Sequence, residues 1–400
     1  MRRAYKFRLR PTAKQHVALG QCLDAHRELY NAALQERRDA YERVVKRSAN
    51  YWSHSRRKGP IVFASQSAQL PEIRASRPEI ARWGAGSEQA TLRRLNKAFE
   101  AFFRRVKTGE EPGYPRFKPA HRFDSVEWPS RGDACKWQPE ASRVYLQGVG
   151  HVKVSVHRRV EGKLKTISVK REAKRWFLVL SCDCVPEKPL PTTGSEVGLD
   201  VGIASFLTTS AGQHIANPRH GRRTAARLAT AQQVLARKKR GSKNRVAARQ
   251  VVAARHRNVA NCRRDFHHQV ARRLVTEHDV FCVEALKIKN MTRSAKGTVE
   301  DPGTNVAAKS GLNRSITDAG WGQFLSILKG KAEEAGRVVI DVNPRHTSQT
   351  CAECGRVDPG NRVSQAVFRC LACGHQAHAD VNAARNILRA GLARPAALAA

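Results

Sequence analysis

The sequence predicts a multidomain chain of mixed class: a small all-β domain carrying a helical insertion, then an α/β domain carrying an inserted metal ribbon. Three observations carry this reading. Residues 125–185 alternate apolar and polar positions with period two, the mark of half-buried strands. From residue 196 to 388, apolar strands alternate with amphipathic helices. Near the end, Cys351, Cys354, Cys370 and Cys373 stand as C-x2-C-x15-C-x2-C, a spacing that lets two thiolate-bearing turns converge on one tetrahedral Zn²⁺. Each pair is followed by glycine, Gly355 or Gly374, suited to turns that aim backbone amides at sulfur.

Charge narrows the function. With 73 Lys and Arg against 34 Asp and Glu in 400 residues, the net charge is +39, an excess that calls for a polyanionic partner over much of the surface. Nucleic acid fits best. No run of about 18 apolar residues exists to cross a membrane, and the N-terminus lacks a signal-peptide core. The other six cysteines, Cys22, Cys135, Cys182, Cys184, Cys262 and Cys282, have no scaffold spacing, so a reducing, cytoplasmic compartment is expected. Cys182 and Cys184, two apart at a strand end, are expected on one side of it.

In chain order, residues 5–10 alternate apolar and basic side chains as a strand that Pro11 stops. Thr12 caps a helical region reaching about residue 45, with Leu23, Leu29, Tyr30, Ala33, Leu34 and Tyr41 as its stripe. Residues 50–60 form a loop holding Arg56, Arg57 and Lys58. A helix over 87–107 places Leu92, Leu95, Phe99, Phe102 and Val106 along one side. Its opposite face sets out Arg93, Arg94, Lys97, Arg104 and Arg105 for phosphates. Short strands follow at 144–146, 152–156, 166–169 and 176–180, a small barrel or sandwich that the opening strand completes.

Prolines in 186–193 mark a linker. A buried strand over 196–203 then carries one central acid, Asp200, costly there unless paired or metal-bound. Residues 205–210 and 212–215 complete a hairpin and a third strand. Residues 219–273 hold seventeen Lys or Arg and one acid, Asp265, on two helices broken at Gly241-Ser242; Val252, Val259, Phe266, Val270 and Leu274 mark the packed side. A second apolar strand at 280–286 bears Glu284. Residues 291–314 read as irregular and mobile, 318–335 as one helix holding a structural Asp318, and 337–342 as the strand entering the ribbon. Asp380 opens the last helix, where by itself it reads as an N-cap. The alanine-rich end, 390–400, reads as disordered.

Taken together, Asp200, Glu284 and Asp380 follow the order strand hairpin, helix, strand, helix, strand, helix, which is the RNase H layout. Three carboxylates converging there need cations to ionise together; two Mg²⁺ would neutralise them and clamp a phosphodiester for attack by water. That order makes Asp380 a ligand.

The stretches GLDVGIASF, FCVEALKIKNM, SITDAGWGQF, TSQTCAECG and HADVNAARNIL resemble the RuvC motifs and zinc ribbon of the TnpB (OrfB) family. That family comprises insertion-sequence-encoded RNA-guided DNA endonucleases related to compact type V CRISPR effectors. YKFRLRPTAKQ and GYPRFK resemble its N-terminal half. The resemblance implies a catalytic triad of Asp200, Glu284 and Asp380, a structural zinc on the four cysteines, and a guide RNA and target double-stranded DNA as partners of a monomer in the bacterial nucleoid. It implies a β-barrel wedge domain (1–10 and 118–190) carrying a helical recognition lobe (11–117). It further implies a RuvC nuclease domain (191–345 and 377–400) with the zinc ribbon (346–376) inserted. Where many members place an acid two positions before the last catalytic Asp, His378 stands here, read as an ordinary polar residue. Lys6, Arg8, Arg56, Arg57 and the barrel residues are the candidates for reading the flanking duplex motif. A nuclease-derived regulator would have lost acids that this chain keeps. A strand-transferring transposase of the same fold is the other alternative, disfavoured by a ribbon placed directly before the last acid.

Overall fold

A computed structural model describes residues 1–49, 61–129, 132–298 and 300–393, with backbone alone over 43–49. The chain divides into two compact units, Met1–Pro186 and Glu187–Ala400.

The first unit opens with strand β1 (Arg3–Arg10), then helices α1 (Ala13–Ala49), α2 (Phe63–Ala68), α3 (Leu70–Ser76), α4 (Pro78–Ala81) and α5 (Ala85–Lys107). Strands β2 (Ser125–Pro129), β3 (Cys135–Gln138), β4 (Arg143–Leu146), β5 (Gly150–Ser155), β6 (Lys163–Glu172) and β7 (Arg175–Asp183) follow. They form one antiparallel sheet in the order β2-β6-β7-β1-β5-β4-β3. The first strand of the chain therefore lies at its centre, between β7 and β5, and its period-two pattern points Tyr5, Phe7 and Leu9 into the core. Thr12 caps α1 reciprocally: its hydroxyl accepts from the Gln15 N–H, and the Gln15 side chain accepts from the Thr12 N–H.

Several expectations change here. Arg94 leaves the outer face of α5; its guanidinium donates to the Ser125 carbonyl and hydroxyl and lies over the Phe123 ring, because β2 runs beneath it. The stripe of α1 ends before Tyr41, which is exposed. Lys6 is held by Glu172 at 2.7 Å over the Phe177 ring, while Arg8 is exposed; Arg56 and Arg57 lie outside the described residues, as does the 50–60 loop. Cys182 is buried and Cys184 exposed, since Cys184 turns to a positive φ of 54° just past β7 and swings its thiol away.

In the second unit, strands β8 (Glu196–Val201), β9 (Ser205–Thr209) and β10 (His214–Ala216) form an antiparallel meander. Helices α6 (His220–Ala236) and α7 (Lys243–Glu277) then lead to β11 (Val280–Glu284), α8 (Ile288–Met291), α9 (Val306–Ala319), α10 (Trp321–Glu334) and β12 (Val338–Val342). The sheet runs β10-β9-β8-β11-β12, with β11 parallel to both β8 and β12. A small hairpin, β13 (Val367–Arg369) and β14 (Gln376–His378), precedes the last helix, α11 (Ala379–Leu392).

Alternation sorts the two faces of this sheet. Val197, Leu199, Phe281 and Val283 pack with Val270, Leu274, Phe324 and Leu328 of α7 and α10 on one face. Gly198 and Cys282 point to the other, where α11 lies so close that a Cβ at Gly198 would collide with the Ala384 carbonyl. A Cβ at Gly391 would likewise strike the Cys282 sulfur. Burying each large side chain contributes about 1.5–3 kcal/mol, so these faces, not helix propensity, hold the elements in place.

The segment 291–314 is not irregular throughout, for α9 begins at Val306. The predicted helix over 318–335 is two helices, broken where Gly320 takes φ +69°. Of the recurring apolar positions on α7, Val252, Val259 and Phe266 are only half-buried, and the core is met by Val270, Ala271, Leu274 and Val275. The linker is pinned to the second unit, with Lys188 and Leu190 N–H groups donating to the Glu334 and Ala335 carbonyls. At the chain's end α11 continues to Leu392, while 394–400 lies outside the described residues.

Candidate active site

Register places the first two acids. Val283 of β11 pairs with Leu199 of β8 in the parallel ladder, so one step on, Glu284 and Asp200 stand side by side. Each lies two residues beyond a position facing α11, Gly198 or Cys282, and so shares that face. Asp380, in the first turn of α11, enters from above. The sheet and one helix thus bring three residues from distant parts of the sequence to one place.

Burial and mutual charge act within this cluster. Burial, and then the negative charges of Glu284 and Asp380, push Asp200 up to about 8, with Arg362 pulling the other way. Burial also raises Glu284, opposed by a hydrogen bond from Thr347 Oγ1 to its Oε1 at 2.6 Å. Asp380 accepts from Arg362 Nη2 at 3.3 Å. Its expected capping role belongs to another residue: His378 is the N-cap, its Nδ1 accepting from the Asp380 N–H at 3.3 Å, which frees the carboxylate. The His378 ring also packs edge-on against His214, 4.6 Å between centroids.

The cysteine site is complete in itself. A tetrahedral Zn²⁺ with Zn–S bonds of about 2.3 Å needs sulfur–sulfur edges near 3.8 Å. Cys351–Cys373 and Cys354–Cys370 stand 3.7 and 3.6 Å apart, and all four sulfurs lie within 4.8 Å of one another. Two matching turns build it. The Cys351 N–H donates to Arg356 O and the Gly355 N–H to Cys351 O; Cys370, His375 and Gly374 repeat the pattern. Both glycines need their positive φ, 77° and 74°. The backbone N–H groups of Cys373 and Ala372 draw the Cys370 thiol down, toward the thiolate a metal requires, while hydrogen bonds with the neighbouring thiols push Cys373 up. Among the described residues this is the one group of three or more such side chains whose ligand atoms close so tightly; the three carboxylates do not.

Sequence reasoning missed the side chains that join the two sites. Asn382, on the helix that begins at Asp380, exchanges bonds with Ala352 N–H and Thr350 O. One turn later Asn386 donates to Thr347 O and Thr350 O, which also fixes the threonine that holds Glu284. Asn361, fully buried, ties Gln349 O to the Leu371 N–H and so clamps the two halves of the ribbon. The i, i+4 pair of asparagines after Asp380 was a usable signal. Nothing local marks Arg362, and Thr347, although it opens the TSQTCAECG stretch, carries no local sign of its bond to Glu284.

Over 388 residues the chain is 34% identical to InsQ of Escherichia coli (strain K12), provisionally named an RNA-guided DNA endonuclease; the alignment covers 97% of this chain and 92% of that protein. The chain belongs to the TnpB (OrfB) family. A protein of Streptomyces pristinaespiralis with the same provisional name is 32% identical over 99% of this chain and 91% of its own length. A CRISPR-associated endodeoxyribonuclease Cas12f1 of Sulfoacidibacillus thermotolerans is 26% identical over 76% of this chain and 77% of its own. Three family models match this TnpB-family chain: "Helix-turn-helix domain" over 1–46, "Probable transposase" over 167–295, and "Cas12f1-like, TNB domain" over 321–387. The first of these segments folds here as β1 and the single helix α1. No helix among the described residues is long and apolar enough to cross a membrane.

Proposed function

We propose that this chain is an RNA-guided DNA endonuclease whose second unit is an RNase H-like (RuvC) domain hydrolysing phosphodiester bonds at Asp200, Glu284 and Asp380. The observation that carries the reading is the convergence of those three acids, one of them held near pH 8 by burial and by the other two. Such a cluster is stable in ionised form only beside cations, and its hard oxygen donors suit Mg²⁺. Two bound Mg²⁺ would supply charge neutralisation and an activated water. The chain's own residues do the rest. Asp200 and Glu284 present their carboxylates from adjacent strands, and Thr347 orients Glu284. Arg362 balances Asp380 at 3.3 Å and offers its guanidinium toward the incoming phosphate.

The ribbon, 346–376, fits a structural Zn²⁺ by its sulfur geometry and is read as the part that grips target nucleic acid. We assign 1–10 with 118–190 as wedge domain and 11–117 as the recognition lobe for guide RNA and target, supported by the central place of β1 in the sheet; the last four residues of that range, 187–190, belong to the second unit. The nuclease domain is 191–345 with 377–400. Base pairing to the guide would read sequence, and the protein a short flanking duplex motif.

The test is co-expression with the native flanking DNA, purification at high salt, and sequencing of bound RNA, followed by Mg²⁺-dependent cleavage of a matched duplex beside Asp200→Ala. One discrete RNA, with matched duplex cut by the parent and not by the variant, is the expected result. Heterogeneous RNA without guide-dependent cutting, or strand-transfer products in its place, would point to the regulator or transposase reading.

A further inference from the structure

The α6–α7 hairpin takes no part in the carboxylate site, yet it concentrates charge as nothing else in the chain does. From 219 to 263 there are fourteen Lys or Arg and no Asp or Glu. Apolar packing does not account for it: α6 buries none of its residues, and α7 buries only Ala248 before His267. The seventeen residues of α6, at 1.5 Å per residue, make an arm about 26 Å long beside the first part of α7. Exposed cations such as Arg227, Lys239, Lys243 and Arg249 stand along the hairpin with no acid between residues 219 and 263 to offset them. The bare arm therefore repels itself, and a polyanion relieves that repulsion while releasing counterions.

The arm's composition also selects the kind of polyanion. Residues 219–263 contain no Phe, Tyr or Trp, so unpaired bases find no ring to stack on. A straight rod with cations along it matches the regular phosphate rows of a double helix, about eight base pairs over 26 Å at 3.4 Å each.

At its base the arm is latched. The first turn of α6 has no acid, and its N-cap residue Arg219 makes no side-chain capping bond. Asp318, from the SITDAGWGQF stretch at the end of α9, does this from outside: its carboxylate accepts from the Gly221 N–H at 2.7 Å and the Arg222 N–H at 3.2 Å. It also pairs with Arg263 of α7 at 3.0 Å, fastening both helices with one side chain. A Cβ at Gly221 would stand 2.7 Å from the Asp318 oxygen and push that carboxylate aside. Beside it, His267 Nε2 bonds the Ala319 carbonyl at 2.9 Å, where the Gly320 break turns the chain.

We propose that the α6–α7 hairpin is a rail for the phosphate backbone of a nucleic-acid duplex, and that Asp318 is the positioning residue that aims it. The inference rests on reading the chain as a nucleic-acid enzyme, and it adds a surface and a latch to that reading.

The experiment uses the full chain in EDTA, with fluorescence anisotropy on double-stranded DNA, double-stranded RNA and an RNA–DNA hybrid across a salt series. Replacing Arg237, Lys238, Lys239, Arg240 and Lys243 together by Gln should keep zinc content and circular dichroism. It should weaken binding at least tenfold and flatten the salt slope by about one for each phosphate no longer neutralised. The duplex whose binding weakens most is the arm's partner. Asp318→Ala should speed amide exchange at Gly221 and Arg222 and weaken binding several-fold, with partial rescue in Asp318→Asn, which keeps one acceptor oxygen. Unchanged affinity and slope on all three duplexes would overturn the rail, and unchanged exchange in Asp318→Ala would overturn the latch. A parent that binds duplex steeply but never cuts a guided target would sink the endonuclease reading and leave the rail standing.

Discussion

The cysteine cluster and the carboxylate cluster of the second unit are built on opposite plans. In the ribbon, four sulfurs already stand at tetrahedral spacing, each pair held by its own backbone turn. In the carboxylate cluster, the acids come from β8, β11 and α11, their oxygens do not close to ligand spacing, and Thr347 and Arg362 hold two of them. A closed site with local scaffolding suits a structural metal; an open one, whose acids come from three separate elements, suits catalysis. The difference also fixes their dependence. Asn382 and Asn386 hang the start of α11, where Asp380 sits, on the ribbon's first turn, so the open site leans on the closed one.

The largest effect follows from breaking the closed site. Structural zinc contributes about 10–16 kcal/mol of apparent binding free energy, as much as the whole stability of a domain. Cys370→Ser should therefore drop zinc from one per chain to near zero by elemental analysis and abolish cleavage as well. A variant that keeps cleaving without zinc would show that the ribbon does not position Asp380.

A smaller effect sharpens the open site. Asp200 is raised from the ordinary carboxyl range to about 8, so its contribution to stability is complete below about pH 4 and is lost as pH rises through 8. Glu284 shifts in the same direction. In EDTA, Asp200→Asn should melt above the parent by at least about 3 °C at pH 9, the shift of ~1 kcal/mol in a domain this size, and with little difference at pH 4. Mg²⁺ should raise the parent's melting temperature and not the variant's. Parallel melting curves from pH 4 to 9 would mean that the acids do not feel one another.

How much of this could be read beforehand depends on range. The cysteine site lies in one short stretch, so its spacing carried its geometry. The sheet was also legible, because a lone acid in an apolar strand stands out at Asp200 and Glu284, and strand alternation then orients both. Asp380 was visible, but its role on the helix was not: the cap is His378, a histidine whose partner is a backbone amide. The break at Gly320 was hidden because Trp321 and Phe324 continue an apolar helical pattern across it, and only a positive φ reveals the turn. Arg94 shows the same limit, since an arginine on an amphipathic helix looks solvated until a neighbouring strand supplies acceptors. Arg362 had no signal, and Thr347 lay in the TSQTCAECG stretch without any sign of its role, since both are brought to the acids by the ribbon's fold and not by their neighbours in sequence.

The most direct measurement is metal exchange on one preparation. The protein is dialysed against EDTA, bound zinc is counted, and guided cleavage is assayed before and after adding Mg²⁺ alone. Contrasting sites predict that about one zinc per chain remains, that cleavage disappears in EDTA, and that Mg²⁺ by itself restores it. Cleavage that survives EDTA, or that returns only when zinc is added, would contradict the separation of a closed structural site from an open catalytic one.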